Sequence, residues 1–386
     1  MKSNCCCCFL LACLLTVTST PLYSKPGSSA TGTSPAEQSK QQPALPPLIN
    51  LQRSKIVPIP DKYWGGDDFQ CDADGRVYAY VRSAGFTAVR YGLDLQVEQV
   101  FSLPETEQFK NYSFGEFGPT PDGGLVVVGN PPRSDVAQLL VRFDNKGHVT
   151  SAVPIKPKLR ELSPERFAFF PDGMLVGADL RTVSYGSRDA RQSSTGKWLV
   201  AILNQDGTIV KQLSMDESAL FSRSMDGNSE SSTAVSNDIR NTVEKRQLRL
   251  YPSSNGNVYA GNFNAGLAGP ELSRNFGLAE ISPSGEVTYY SFPSTNGPAL
   301  YGLAINGNKV FAVFGSESGV IKEVYSFRID GSNHRLDLVG RYIILGELEP
   351  SGRGGELSPA YVRLQCATDS GLIGSEGRSL VLYRLP

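Results

Sequence analysis

Five charged residues recur at the same distance from a turn, six positions before the Asp or Asn at which the turn begins. In chain order they are two acids and then three arginines: Asp68, Glu116, Arg166, Arg249 and Arg363. A sixth copy of the pattern is ambiguous by one residue and offers Leu300 or Tyr301. Only 19% of the chain is charged, so five charges in five unambiguous positions indicate a position that requires charge.

This charged column, with Tyr301 as its sixth member, allows three interpretations. Arginine forks bind oxyanions bidentately, which predicts a site for a carboxylate, a phosphate or a sugar acid. Asp68 and Glu116 would be the acid and base of an enzyme, a hydrolase, lactonase or lyase acting on a carbohydrate-like substrate. The same charges would also suit a structural belt of ion pairs. The residue types leave all three open.

Other chemistry has little support in the sequence. The chain has only two histidines, His148 and His334, and each lies in or just after an outer turn. We find no Walker loop, HExxH, GxSxG or paired-cysteine zinc motif. We therefore expect no metal, no cofactor and no catalytic residue, and we favour binding over catalysis. The net charge of −1 argues against a nucleic-acid partner.

The column belongs to a repeat of strand, turn and strand. Six turns precede alternating, β-rich segments: Asp74-Gly75, Asp122-Gly123, Asp172-Gly173, Asn255-Gly256, Asn306-Gly307 and Asp369-Ser370-Gly371. Because Asn, Asp and Gly tolerate positive φ, we expect two-residue hairpins there. A second turn follows each of the first five, 20 to 32 residues later. Each unit therefore predicts four strands, the content of one propeller blade.

The last unit lacks its fourth strand, and a strand-like segment, Leu48 to Pro60, precedes the first unit. We therefore predict an all-β, six-bladed β-propeller of four-stranded antiparallel blades, whose last blade is closed by the N-terminal strand. Closure of this kind removes the exposed sheet edge of an open array. The alternatives are a seven-bladed ring and a sandwich with irregular loops. Phe69, Phe117, Phe167, Leu250 and Leu364, which adjoin the charged column, would pack between blades.

The phrases DGRVYAYV and GNVYAGNF, followed by segments such as LVRFDNKGHV, resemble the strand-turn-strand phrasing of NHL repeats. Over residues 48–386 the chain looks like a secreted bacterial six-bladed propeller of the NHL/TolB-like type. That resemblance implies a fold, and the family includes binding scaffolds, regulators and some enzymes.

The N-terminus has the pattern of an export signal. A positive charge at Lys2 is followed by an apolar run from Cys5 to Val17, too short for a membrane span, and then by small and polar residues. We expect a signal peptide over 1–24, a disordered Pro/Ser/Gln-rich linker over 25–47 and the propeller over 48–386. After removal of the signal no transmembrane segment is expected. The location would be periplasmic or extracellular; a lipobox-like Leu-Leu-Ala-Cys offers lipid anchoring through Cys13 as the alternative.

Five of the seven cysteines lie in that signal, which leaves Cys71 and Cys366. Each falls three residues before its turn, in the first and last units, which are neighbours in a closed ring. In an oxidising compartment these two residues would form a disulfide; two buried free thiols are the alternative.

Taken together, the sequence predicts an exported, non-catalytic binding scaffold, monomeric, whose partner is a protein, a peptide or a small oxyanionic ligand. A propeller enzyme is the alternative.

Overall fold

The structure is a computed structural model, described over residues 45–63, 69–83, 85–131, 137–154, 166–183, 195–216, 247–263, 277–292, 299–315, 321–345, 348–350, 357–359 and 362–386. The predicted signal peptide and all but the last three residues of the predicted linker lie outside these residues. Both assignments therefore stay predictions. Among the described residues, no helix has the length and apolarity needed to cross a membrane.

The described chain forms six four-stranded antiparallel blades. Blade one is β3 (Phe69–Cys71), β4 (Val77–Ser83), β5 (Gly85–Tyr91) and β6 (Val97–Ser102). Blade two is β7 (Ser113–Pro119), β8 (Leu125–Asn130), β9 (Leu139–Phe143) and β10 (Val149–Pro154). Blade three is β11 (Arg166–Phe169), β12 (Leu175–Val183), β13 (Thr195–Leu203) and β14 (Ile209–Leu213).

Blade four is β15 (Gln247–Pro252), β16 (Val258–Phe263), β17 (Gly277–Ile281) and β18 (Val287–Ser291). Blade five is β19 (Ala299–Asn306), β20 (Lys309–Gly315), β21 (Ile321–Asp330) and β22 (Arg335–Leu345). Blade six is β25 (Val362–Ala367), β26 (Gly371–Glu376), β27 (Ser379–Arg384) and the N-terminal β2 (Gln52–Pro58). The remaining elements are β1 (Leu48–Asn50), a 3-10 turn (Asp61–Tyr63) and a hairpin of β23 (Leu348–Pro350) and β24 (Leu357–Pro359).

The blades close into a ring, because the first strand of each contacts the first strand of the next, and β25 contacts β3. The apolar core is divided among the six junctions between neighbouring blades. The predicted packing column is confirmed: Phe69, Phe117, Phe167, Leu250 and Leu364 are all buried in these junctions.

The turns between first and second strands lie where the sequence predicts, but most are longer than expected. In blades one to four a three-residue loop is closed by two backbone hydrogen bonds, as in Asp72 N to Arg76 O and Gly75 N to Asp72 O. Only its glycine has a positive φ, 90° at Gly75. This is the geometry of a type I turn followed by a left-handed glycine. The predicted two-residue loop occurs in blades five and six, at Gly307-Asn308 and Asp369-Ser370.

The predicted closure by the N-terminal strand is confirmed. β2 pairs antiparallel with β27, so the two ends of the folded chain share blade six. The strand-like segment forms two strands, and the pairing of the first was not predicted: β1 pairs parallel with β22, at the outer edge of blade five. Between them, Leu51 is buried in the junction of blades five and six and donates its N–H to Ile343 O at 3.0 Å.

Candidate ligand site at the central channel

The inner strands surround a narrow central channel. Its free volume is about 30 Å³, which corresponds to a few water molecules. Its polar lining includes Gln70, Arg249, Tyr251 and Gln365. Burial raises the pKa of Tyr251 to about 12, although the positive charge of Arg249 acts in the opposite direction. The channel therefore has room for a small terminal group of a ligand.

The structure places the arginines of the charged column on inner strands. Arg166, Arg249 and Arg363 pair with small residues of the second strands: Ala178, Gly261 and Ser375. Arg249 is half-buried and lines the channel, whereas Arg363 is exposed. The side chain of Arg166 lies outside the described part of the chain.

The acidic and aromatic members of the column are placed less regularly. Glu116, half-buried, lies within a β-bulge of β7 between Phe114 and Phe117. In blade five, Tyr301 is also at a bulge: Leu300 pairs with Phe314 and Gly302 with Val313 on the second strand, and Tyr301 lies between them. Asp68 lies outside the described residues, so the pair of acids required by the enzyme interpretation is not tested.

Cys71 and Cys366 are joined in a disulfide with a Cα–Cα distance of 5.8 Å. Both cysteines lie three residues before a turn in the sequence, but their positions in the two blades differ. Cys71 pairs with Val77, next to the turn, whereas the shorter turn of blade six gives that place to Ala367 and pairs Cys366 with Ile373. The shorter turn, together with a β-bulge between Leu364 and Cys366, turns Cys366 to the face opposite to that of Leu364, so that the two cysteines face each other across the junction of blades six and one.

The histidines lie on the surface, as predicted. His148 is exposed, and its Nδ1 is 3.2 Å from Asp144 Oδ2 in the outer turn of blade two. His334 is exposed in the outer turn of blade five. Among the described residues, no group of three or more His, Cys, Asp or Glu side chains is placed to hold a metal ion.

The sequence interpretation missed two larger cavities. One, of about 230 Å³, lies at the turn end of the inner strands of blades one to four and is lined by Asp72, Asp74, four prolines and Ser253. The other, of about 460 Å³, lies between blades one and two, on the side where the inner strands begin. The sequence feature that could have indicated the cavity between blades one and two is the high density of aromatic residues at 109–117, FKNYSFGEF.

Comparison with known proteins identifies no family. No protein-family model matches the chain, and no curated protein sequence matches it. Among solved structures, a protein of unknown function from Bacteroides caccae is 11% identical with a TM-score of 0.33, over 81% of this chain and 93% of that one. U3-55K and the RRP9 WD40 repeats are each 10% identical with a TM-score of 0.40, over 85% and 87% of this chain and 100% of theirs. The assignment to the β-propellers rests on the strand topology itself.

Proposed function

We propose that this protein is an exported binding scaffold that acts without catalysis and recognises an oxyanionic group where the inner strands begin. The group would be carried by a small ligand, a peptide or a protein. One observation carries the proposal: a half-buried arginine, Arg249, lines the central channel on an inner strand. A guanidinium of this kind binds carboxylate and phosphate oxygens with two parallel hydrogen bonds.

The narrow channel restricts how such a ligand would bind. Because the channel has room for only a few water molecules, a terminal carboxylate or phosphate would enter and the rest of the ligand would stay outside. Arg363, exposed on β25, and Arg166, on β11, would extend the positive site around the mouth.

Export is supported by the disulfide, since such bonds persist in oxidising compartments and are rare where thiols are kept reduced. The N-terminal signal pattern agrees with export. The NHL/TolB-like type and a periplasmic or extracellular location are part of this proposal.

Calorimetric titration with glucuronate, citrate and inorganic phosphate tests the site. For whichever anion binds, Arg249→Gln should raise the Kd about tenfold or more, because a charge-assisted hydrogen-bond pair is lost. Arg328→Gln is the matched control: this arginine is 61% exposed on the outer hairpin of blade five, and its loss should leave the Kd unchanged. Absence of binding, or an equal effect of both variants, would contradict the proposal.

Melting temperature distinguishes the site from a structural belt. If the column is a ligand site, Arg363→Ala weakens anion binding and leaves the melting temperature within a few degrees of the parent. A large fall in melting temperature, with unchanged anion affinity, would instead assign the column to a belt of ion pairs.

A further inference from the structure

The cavity between blades one and two has a lining unlike that of the channel. It is walled by the start of β5, by the segment 103–112 that connects the two blades, and by Phe114 on β7. Its volume of about 460 Å³ lies in the range of small-molecule sites. We call it the blade 1–2 pocket.

Four aromatic residues line this pocket; Phe86, Phe109 and Phe114 are buried, Tyr112 is half-buried, and the other three rings pack on that of Phe114. The ring of Phe114 lies 6.1 Å from that of Phe109, 6.2 Å from that of Tyr112 and 6.4 Å from that of Phe86. The rings of Phe109 and Phe114 are set at 74° to each other. Aromatic walls of differing orientation are the surroundings in which proteins hold organic cations, because the ring faces carry negative potential.

The connecting segment is held in place by backbone hydrogen bonds. Leu103 N donates to Phe86 O, Phe109 N and Lys110 N both donate to Thr106 O, and Tyr112 N donates to Phe109 O, each at 3.1 Å. The Tyr112 hydroxyl donates to Ala137 O at 3.2 Å, which fixes its ring against blade two. The pocket is therefore preformed, so that ordering its walls adds little to the free-energy cost of binding.

The charges around the pocket are acidic on balance. Glu105, Glu107 and Lys110 line it, and Lys110 Nζ is 3.3 Å from Glu107 Oε1. Among the described residues, Glu105 forms no ion pair. A cation in the pocket would therefore meet one uncompensated carboxylate as well as the aromatic rings, whereas an anion would meet repulsion from it.

We propose that the blade 1–2 pocket binds a small organic ammonium cation. The aromatic lining supplies an apolar, electron-rich surface for the alkylated ammonium, and Glu105 supplies the opposite charge. This site is separate from the channel and takes ligands of the opposite charge. Its test is therefore independent of the test of the proposed oxyanion site.

Calorimetric titration with choline and with 3,3-dimethylbutan-1-ol, its uncharged isostere, tests the charge requirement. Choline should bind with millimolar or better affinity, and the alcohol at least about tenfold more weakly. Glu105→Gln should weaken choline binding several-fold and leave the alcohol unchanged. Glu286→Gln is the matched control, because Glu286 is exposed like Glu105 but lies in the outer turn of blade four.

Tyr112 variants test the aromatic requirement. Tyr112→Leu should abolish the preference for choline over the alcohol, whereas Tyr112→Phe, which keeps the ring, should retain it. Circular dichroism confirms that each variant folds. The proposal is overturned if choline does not bind, if the alcohol binds as well as choline, or if Glu105→Gln and Tyr112→Leu bind choline like the parent.

Discussion

The two junctions on either side of blade six are held together by different means. Between blades five and six the N-terminal segment runs along both outer edges, with β1 on β22, β2 on β27 and Leu51 buried between them. Between blades six and one the disulfide of Cys71 and Cys366 joins residues 295 apart in sequence. The first junction depends on native backbone pairing, whereas the second is covalent and also restricts the unfolded chain.

Further contacts hold the closing strand within blade six and pack blade one on blade six. Glu376 is buried and accepts hydrogen bonds from Arg53 of β2, at 2.9 Å from Nε and 2.8 Å from Nη2, and from the Tyr383 hydroxyl. Across the second junction, the turn glycine Gly75 of blade one lies directly against the backbone of blade six at Ala367. The junction of blades five and six therefore depends on strand pairing, and the junction of blades six and one on close packing as well as on the disulfide.

Deletion of residues 48–58 should have the largest effect of all. It removes β1 and β2, exposes the edges of β22 and β27, and leaves Glu376 without its arginine. We expect loss of cooperative thermal unfolding and aggregation, measured by circular dichroism and size-exclusion chromatography. Deletion of residues 25–44, in the predicted linker, is the control and should leave the melt unchanged. A native-like melt after the first deletion would show that folding does not require β1 and β2.

Replacement of both Cys71 and Cys366 by alanine should lower the free energy of unfolding by about 4–5 kcal/mol, because a long loop of the unfolded chain is no longer closed. Urea denaturation measures the loss. Reductant should destabilise the parent by a similar amount and leave the double variant unchanged. Equal stability of parent and variant would mean that packing alone holds this junction.

Glu376→Gln should cost about 2–3 kcal/mol, because the half-buried guanidinium of Arg53 loses its ion pair with Glu376. If loss of the Arg53–Glu376 ion pair accounts for most of this cost, the double variant Arg53→Leu with Glu376→Gln should lose less stability than the sum of the two single variants. A double-mutant cycle in urea gives the coupling directly, and additive costs would contradict the assignment.

Gly75→Ala should cost more than Gly256→Ala, its counterpart in blade four. Both positions have similar positive φ, 90° and 87°, so both variants carry the same backbone strain of about 1–2 kcal/mol. A Cβ on Gly75 would lie 2.7 Å from Ala367 O, whereas on Gly256 its nearest neighbour is Pro171 Cγ at 3.8 Å. The additional cost at Gly75, about 1–3 kcal/mol, measures the packing of blade one on blade six; equal melting temperatures would contradict that packing.

The titration of Asp72, in the same turn of blade one, should have the smallest effect on stability. Burial raises the pKa of its carboxyl, although hydrogen bonds from Arg76 act in the opposite direction. A raised pKa means that the folded state holds the proton more tightly. Relative to Asp72→Asn, the stability of the parent should therefore fall as the pH rises from 3.8 through the raised value, and then stay level. Denaturation at a series of pH values checks this, and a rising difference would contradict it.

Much of the fold was predictable because its signals are local. Each glycine turn and each alternating strand is determined by a few neighbouring residues, and their repetition leads to six blades and to the missing fourth strand. The β1 strand was not predictable in the same way, since LIN at residues 48–50 becomes a strand only by pairing with residues 341–343.

The candidate site was predictable in part. The arginines of the column could be assigned to inner strands because they lie at fixed distances from turns. The bulges at Glu116 and Tyr301 escaped prediction because a bulge depends on the register of the partner strand. The blade 1–2 pocket escaped because its walls come from two blades, and only their packing leaves the space between Phe86 and Phe109.

By itself, the sequence determined the class of fold, the number of blades, the strand that closes the ring and the two cysteines available for a disulfide. Only the tertiary structure decided how those cysteines meet: a turn shorter by one residue, with a bulge between Leu364 and Cys366, reverses the face on which Cys366 points. Side-chain direction in a strand alternates with every residue, so a difference of one position, invisible in composition or spacing, decides which blade a side chain contacts.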